Sequence, residues 1–225
     1  MHQYVNQGYS VADYNAARPA DAPVMTKLAL TLLLALALSG CGPKVPRVTP
    51  VGPNDLIVAF GDSLTYGTGA NENESYPAVL ASLINRKVVR EGVPGETTSG
   101  GLARIEEVLE AHRPALVIMS LGGNDMLRRA SDAEIKANLR KIIQAIRGRG
   151  ISVVLFGVPK PALITSAPGF YEELAKEFDI PYEGKIVTDV LYHPDQKSDT
   201  IHPNAKGYRR MAEAFAALLK KAGAI

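Results

Sequence analysis

Ser63 lies in the stretch AFGDSLTYG, where a short apolar run ends and glycines stand on both sides of an Asp-Ser pair. A serine hydroxyl attacks a carbonyl carbon only when a base takes its proton and hydrogen-bond donors hold the negative oxygen that forms. Ser63 is therefore either a nucleophile or a hydroxyl in a tight turn. The partners available elsewhere in the sequence decide between these two interpretations.

One histidine is better placed than the others to serve as that base. The chain has four histidines: His2, His112, His193 and His202. The first lies in a polar N-terminal segment, the second ends an amphipathic stretch and the third is in a polar loop. His202 follows Asp199 by three residues, and in a turn this spacing can bring the carboxylate to Nδ1–H while Nε2 faces Ser63. A histidine that starts the last helix beside an incidental aspartate is the alternative.

The elements that must position these residues follow a βα pattern from residue 56 onward, because short apolar runs alternate with amphipathic stretches. The predicted strands are 56–60, 87–91, 115–121, 151–158 and a weaker final strand or extended segment at 185–192. The predicted helices are 75–85, 102–112, 131–147, 169–180 and one after Pro203. The pattern predicts an α/β fold, a three-layer α/β/α sandwich with a mostly parallel, five-stranded sheet.

Four loops of unusual composition are expected to meet at one edge of this sheet. They are GDSLTYG (61–67), GVPGETT (92–98), GGND (122–125) and SDTIHP (198–203). The first three follow predicted strands, and ligands of open parallel sheets bind beyond the carboxyl ends of the strands. Their convergence favours the nucleophile interpretation of Ser63 more than any single motif does.

In order along the chain, these loops resemble the four sequence blocks of the GDSL (SGNH) hydrolase family: Gly61-Asp62-Ser63-Leu64, the glycine loop around Gly95, Gly122-Gly123-Asn124-Asp125 and Asp199-Thr200-Ile201-His202-Pro203. The resemblance covers the chain from residue 56 to the C-terminus. It implies the flavodoxin-like fold of SGNH hydrolases and a carboxylic ester hydrolase similar to bacterial periplasmic arylesterases, thioesterases I and lysophospholipases.

The resemblance also implies the roles of individual residues. Ser63 is the expected nucleophile, His202 the general base and Asp199 the carboxylate that orients it. The expected oxyanion hole consists of the backbone N–H groups of Ser63 and Gly95 and the side-chain amide of Asn124. A glycine at position 95 lets the backbone approach the substrate closely. Hydrolysis through an acyl-serine intermediate needs no cofactor and no metal.

The chain departs from the family pattern ahead of the oxyanion glycine. Many members carry an asparagine there, where this sequence has Arg90-Glu91-Gly92-Val93-Pro94. The hydrogen bonding of this loop is therefore left open by the sequence. The acids beside the motifs, Asp62 and Asp125, are expected to hold the loops by accepting backbone N–H bonds.

Two other functions compete with ester hydrolysis. A divalent-metal phosphoesterase would use Asp62, Asn124, Asp125 and His202 as ligands, although such sites usually need more ligands. A non-catalytic envelope lipoprotein would use the fold to bind glycans or acyl chains. Among small-molecule ester substrates, the sequence leaves open short aryl or alkyl esters, lysophospholipids, acyl-CoA and acetylated sugars. The segment 157–171 is the predicted specificity loop.

The N-terminal region carries an export signal. Lys27 precedes the apolar run LALTLLLALAL and the small residues SGCG, which is the pattern of a secretory signal. The segment Leu38-Ser39-Gly40-Cys41 resembles the bacterial lipobox and implies lipidation of Cys41. An ordinary signal peptide with an incidental cysteine is the alternative. As the sole cysteine, Cys41 also excludes an internal disulfide.

The predicted organisation has four parts. Residues 1–24 are a leader predicted to lie ahead of a true start at Met25, and 25–40 are the signal peptide. Residues 41–53 form a proline-rich tether, and 54–225 form the hydrolase domain. The expected location is the bacterial cell envelope, as a periplasm-facing lipoprotein with a lipid anchor in a membrane. The net charge of +2, with basic and acidic residues interspersed, argues against a nucleic-acid partner.

Overall fold

A parallel sheet forms the centre of the computed structural model, which describes residues 45–160 and 166–225. Its strands are β1 (Leu56–Gly61), β2 (Lys87–Gly92), β3 (Leu116–Ser120), β4 (Ser152–Phe156) and β5 (Tyr182–Glu183). All adjacent strands pair in parallel, in the order β2-β1-β3-β4-β5. The order reverses beside β1, so a crevice is expected where the loops after β1 and β3 diverge.

Helices cover the two faces of the sheet. They are α1 (Ser63–Tyr66), α2 (Tyr76–Ile84), α3 (Thr98–His112), α4 (Gly123–Leu127), α5 (Asp132–Gly148), α6 (Gly169–Phe178), α7 (Ile186–Tyr192) and α8 (Ala205–Ala222). Short 3₁₀ turns occupy Glu72–Glu74 and Pro194–Gln196. Alternate residues of each central strand face opposite layers of helices, which confirms the predicted three-layer α/β/α sandwich.

The alternation is clearest in β1. Ile57 and Ala59 pack into the core layer that α2, α7 and α8 cover, whereas Val58 and Phe60 pack into the layer that α3, α5 and α6 cover. All four side chains are fully buried. Burying a side chain the size of Val or Phe stabilises a fold by about 1.5–3 kcal/mol, so β1 is fixed firmly up to the point where Ser63 follows it.

Most predicted elements are confirmed, with ends that differ by at most two residues. The first exception is the helix predicted to begin at Leu102, which begins at Thr98 instead. The side chain of Thr97 accepts a hydrogen bond from the Gly100 N–H, and this N-cap brings the glycines of the loop into the first turn.

The predicted final strand over 185–192 is wrong, because this segment forms helix α7. Its buried apolar residues recur at helical spacing: Ile186, Val187, Val190 and Leu191. The Glu183 carboxylate accepts hydrogen bonds from the N–H groups of Lys185 and Ile186, where the helix starts. The fifth strand is instead the two-residue β5, which pairs with the end of β4.

Part of the predicted tether packs on the domain. The compact unit begins at Val45 and not at Asn54, the predicted boundary. The Val48 N–H donates to the carbonyl of Ala222, the last residue of α8, and the Val51 N–H donates to the carbonyl of Ala224, two residues beyond it. The Val51 side chain is buried. Prolines favour an extended backbone here. Val45, Val48 and Val51 recur every third residue, the repeat of a polyproline II helix, and give this extended chain an apolar side that packs on the core.

Several predictions lie outside the described residues. They concern the leader, the signal peptide, Cys41 and the part of the specificity loop at 161–165. In the ranges that the structure does describe, none of the helices combines the length and apolar character needed to cross a bilayer.

Candidate active site

A chain of hydrogen bonds joins the three residues predicted to perform catalysis. The Ser63 Oγ lies 3.1 Å from His202 Nε2, and His202 Nδ1 lies 2.7 Å from Asp199 Oδ2. Ser63 begins α1 directly after β1, and the other two residues lie in the loop that precedes α8. The structure thus brings together residues that are 139 positions apart in sequence.

The backbone of its own loop holds the Asp199 carboxylate. Asp199 Oδ1 accepts hydrogen bonds from the N–H groups of Ile201 and His202, at 2.8 and 2.9 Å. Partial desolvation raises the pKa of Asp199, but the hydrogen bonds from these N–H groups and from the imidazole outweigh it and lower the pKa below its ordinary value. Asp199 is therefore ionised at neutral pH and favours the imidazole tautomer that carries its proton on Nδ1.

The loop after α1 lies directly against the loop that carries His202. A Cβ on Gly69 would lie 2.1 Å from Ser198 Oγ and 2.5 Å from the Pro203 carbonyl oxygen, and the φ of Gly69 is +99°. Nearby, the Tyr208 hydroxyl donates to the Thr68 carbonyl at 2.8 Å. A side chain at position 69 would separate the two loops, so glycine is required for the spacing between Ser63 and His202.

The residues predicted to form the oxyanion hole lie on the other side of Ser63. Gly95 has a φ of +80°, a left-handed conformation that glycine adopts without strain. Asn124 Nδ2 donates to the Glu96 carbonyl at 2.9 Å and to Asp62 Oδ2 at 3.3 Å. Its amide thus links the residue after Gly95 to the residue before Ser63. Among the described residues, the backbone N–H groups of Ser63 and Gly95 donate to no protein acceptor.

The two acids beside the motifs accept backbone N–H groups, as predicted. Asp125 is buried, and its carboxylate accepts from the Thr98 N–H and hydroxyl at 2.8 and 2.6 Å. Asp62 is also buried and accepts from the Leu64 N–H at 3.0 Å. Desolvation raises the pKa of Asp62 from 3.8 to about 7, although the Leu64 hydrogen bond and the charge of His202 oppose this rise.

An apolar cavity opens beside Ser63 and His202. Its apolar lining comes from five different loops or helices: Leu64, Leu127, Val158, Pro159, Leu191 and Ile201. Val158 and Pro159 belong to the predicted specificity loop. The cavity can accept an uncharged, apolar group next to the Ser63 hydroxyl.

The contacts of these residues do not favour a metal centre. Among residues 45–160 and 166–225 no group of three or more His, Cys, Asp or Glu side chains is arranged to hold a metal ion. Both oxygens of Asp125, one of the four ligands considered, already bind Thr98.

Sequence reasoning did not find the ion pair below the oxyanion loop. Arg104 contacts the Glu96 carboxylate with two nitrogens, each at 2.7 Å, and Arg128 donates to the Gly95 carbonyl at 3.1 Å. A signal was available for Arg104: it falls between Gly101 and Val108 on the buried side of α3, where an apolar residue is expected.

The fold and the site together define a hydrolase of the SGNH class, with its functional loops at the carboxyl edge of a doubly wound sheet. The model of the GDSL-like lipase/acylhydrolase family matches residues 59–210, and the chain belongs to this family. It is accordingly an ester hydrolase.

Curated relatives and solved structures agree with this assignment. The chain is 31% identical over 174 residues to thioesterase 1/protease 1/lysophospholipase L1 of Escherichia coli, covering 74% of this chain and 84% of that one. It is 28% identical over 179 residues to an arylesterase of Vibrio mimicus, covering 75% and 90%. Among solved structures, the SGNH-hydrolase family esterase AlinE4 is 34% identical, with a TM-score of 0.59 over 76% of this chain and 98% of that one.

Proposed function

We propose that Ser63 is the nucleophile of a serine esterase, with His202 as general base and Asp199 as the group that orients the imidazole. The observation that carries this proposal is the unbroken hydrogen-bonded chain from Ser63 Oγ through both imidazole nitrogens to Asp199 Oδ2. A positioned base and an ionised partner are what a serine hydroxyl needs to attack a carbonyl carbon.

The reaction follows from this geometry. Ser63 Oγ attacks the ester carbonyl carbon while His202 Nε2 takes the hydroxyl proton, and the carbonyl oxygen becomes an oxyanion. The N–H groups of Ser63 and Gly95 and the Asn124 amide stabilise this charge. The imidazolium then protonates the leaving alkoxide or thiolate, which departs and leaves an acyl-serine. Water, deprotonated by His202, attacks the acyl group and releases the carboxylic acid and free Ser63.

The Asn124 amide must reorganise slightly for this role, because both of its hydrogens already have partners. The contact with Asp62 Oδ2 is the longer of the two, at 3.3 Å against 2.9 Å for the Glu96 carbonyl. A developing oxyanion competes best with the longer contact. The shorter contact then keeps the amide in place during the reaction.

The substrates we propose are carboxylic esters or thioesters with an aryl or short acyl group, or lysophospholipid-like esters. The apolar cavity lining supports an apolar group beside Ser63. The relatives named thioesterase, lysophospholipase and arylesterase support the same range. A chain-length series of p-nitrophenyl esters, together with acyl-CoA, lysophosphatidylcholine and an acetylated glycan, ranks these classes by kcat/KM.

We also propose that the protein is a periplasm-facing lipoprotein, anchored through Cys41 in a membrane of the bacterial envelope. The lipobox-like segment and the preceding apolar run support this location. Metabolic labelling with a palmitate analogue is expected to label the wild type and not Cys41→Ala. Equal labelling of both would contradict the anchor. The intact mass of the precursor tests the start at Met25, and a precursor that begins at Met1 would contradict it.

The decisive test of the catalytic proposal is Ser63→Ala. We expect this variant to stay folded and to lose p-nitrophenyl acetate hydrolysis and labelling by a fluorophosphonate probe. Ser82→Ala is the matched control, since Ser82 is exposed on α2 and does not line the cavity. Wild-type activity should survive excess EDTA. Substantial turnover by Ser63→Ala, or loss of wild-type activity in EDTA, would overturn the proposal.

A further inference from the structure

Arg104 on α3 makes a two-point ion pair with the residue that follows the oxyanion glycine. Its Nε and Nη2 donate to Glu96 Oε1 and Oε2, both at 2.7 Å. The Glu96 side chain is only 6% exposed, so the carboxylate has little access to water and depends on this arginine. Such paired contacts fix the direction of a carboxylate as well as its distance.

Further contacts fix the guanidinium itself. Nη1 lies 3.2 Å from Glu91 Oε2, and Nη2 donates to the Glu91 carbonyl at 2.9 Å. The guanidinium carbon lies 4.2 Å from the centre of the Phe60 ring, in a cation–π contact. Arg104 therefore connects Glu96 to the ends of β1 and β2. A lysine could supply the charge but not these directions.

Glu96 faces the site with its backbone. Its carbonyl oxygen accepts the 2.9 Å hydrogen bond from Asn124 Nδ2, and its own N–H donates to the Val93 carbonyl, which closes the turn around Gly95. A shift of Glu96 would therefore move the Gly95 N–H and the Asn124 amide at once. These are two of the three proposed oxyanion donors.

We infer that Arg104 and Glu96 are positioning residues for the oxyanion hole: their partly buried ion pair sets the Gly95 turn and the direction of the Asn124 amide. This inference rests on the proposed function. It also explains how the loop is held where the chain has Arg90-Glu91-Gly92-Val93-Pro94 and lacks the asparagine that many relatives carry. Glu91 takes part through its contacts with Arg104 and through His112, whose Nε2 lies 2.8 Å from Glu91 Oε1.

The test uses Arg104→Met and Glu96→Gln. Misplaced oxyanion donors weaken transition-state binding more than substrate binding, so kcat should fall while KM changes little. Removing one such donor outright costs about 100- to 1,000-fold in kcat. We expect about 10- to 100-fold for Arg104→Met and a smaller loss for Glu96→Gln, which keeps one oxygen as acceptor. A trifluoromethyl ketone, which forms an oxyanion on Ser63, should lose affinity by the same factor as kcat/KM.

The chain contains a matched control for this ion pair. Arg140 on α5 contacts Glu177 on α6 with the same two nitrogens, at 2.7 and 2.9 Å, but neither residue touches the site. Arg140→Met and Glu177→Gln should leave kcat and inhibitor affinity unchanged. The pH–rate profiles of these two control variants should also match that of the wild type, because their side chains do not touch the site.

Two results would overturn the inference. One is folded Arg104→Met and Glu96→Gln with wild-type kcat; the other is a fall in kcat without the parallel loss of inhibitor affinity. Should Arg104→Met fail to fold, Glu96→Gln decides alone. Ser63→Ala separates this inference from the proposed function: activity without Ser63 overturns the proposed function, whereas an inactive Ser63→Ala beside a fully active Glu96→Gln overturns only the positioning role.

Discussion

Two aspartates approach the Ser63–His202 pair, and they differ in solvent access and in pKa. Asp62 is the direct neighbour of Ser63 and is 2% exposed. Burial raises the pKa of Asp62 to about 7. Asp199 is 51% exposed in its side chain, and its hydrogen bonds lower the pKa of its carboxyl. The two carboxyls thus differ in charge across the weakly acidic range.

The difference shows why Asp199, and not the aspartate next to the nucleophile, is suited to orient His202. Proton transfer from Ser63 creates an imidazolium, which needs an ionised partner. Water and two backbone N–H groups keep Asp199 ionised, whereas desolvation penalises the charged form of Asp62. Asp62 instead joins two loops through Leu64 and Asn124. Adjacency in sequence is a poor guide to the role of a carboxylate.

Among the tests of this contrast between Asp62 and Asp199, the substitution Asp199→Asn is expected to have the largest effect on activity. An asparagine keeps an acceptor for the Ile201 and His202 N–H groups but no longer stabilises the imidazolium. We expect kcat/KM to fall by at least about 100-fold with the fold intact. Asp195→Asn is the control, because Asp195 is an exposed carboxylate that pairs with Lys206 in the neighbouring turn. If Asp199→Asn keeps kcat/KM within about tenfold of wild type, Asp199 does not orient the base.

A pH–rate profile separates the two aspartates next. Because the His202 imidazole must be neutral to accept a proton, kcat/KM should fall about tenfold per pH unit on the acid side. Burial raises the pKa of Asp62 to about 7, so Asp62 also changes charge in this pH range. The fall in kcat/KM on the acid side therefore has two candidate causes, protonation of His202 and protonation of Asp62. If protonation of His202 causes the fall in kcat/KM, the Asp62→Asn variant should show the same fall. A wild-type kcat/KM that does not change with pH would contradict the role of His202. If the fall in kcat/KM at acid pH is absent in Asp62→Asn, protonation of Asp62 causes it.

Much of the site could be predicted from the sequence because its parts lie in short loops at the ends of predictable strands. Ser63, Asn124 and the pair Asp199 and His202 each belong to a short motif. In a parallel sheet, the carboxyl ends of the strands bring the first of these loops to one edge. The parallel strands and the three layers followed from the alternation of apolar runs with amphipathic stretches, whereas the order of the strands is visible only in the fold.

The remaining features depend on contacts that no local pattern records. The ion pair of Arg104 with Glu96 forms only after α3 packs below the loop. Helix α7 resembled a strand because β-branched residues fill it, and the Glu183 carboxylate that accepts N–H groups at its start is visible only in the fold. Val51 has the sequence context of a linker, but in the fold its N–H donates to the Ala224 carbonyl just after α8 and its side chain packs on the core.

The remaining test concerns stability and examines the charge state of Asp62 directly. Its folded pKa of about 7 exceeds the ordinary 3.8, so between these values the folded state keeps a proton that the unfolded state has released. Wild-type stability should therefore fall as pH rises through this window, by at most about 1.4 kcal/mol per pH unit, and level off above it. Asp62→Asn lacks this contribution. Urea unfolding at a series of pH values should therefore show that the free energy of unfolding of the variant increases relative to that of wild type as pH rises. Parallel stability curves would mean that Asp62 is ionised throughout, and the contrast with Asp199 would then rest on hydrogen bonding and not on charge.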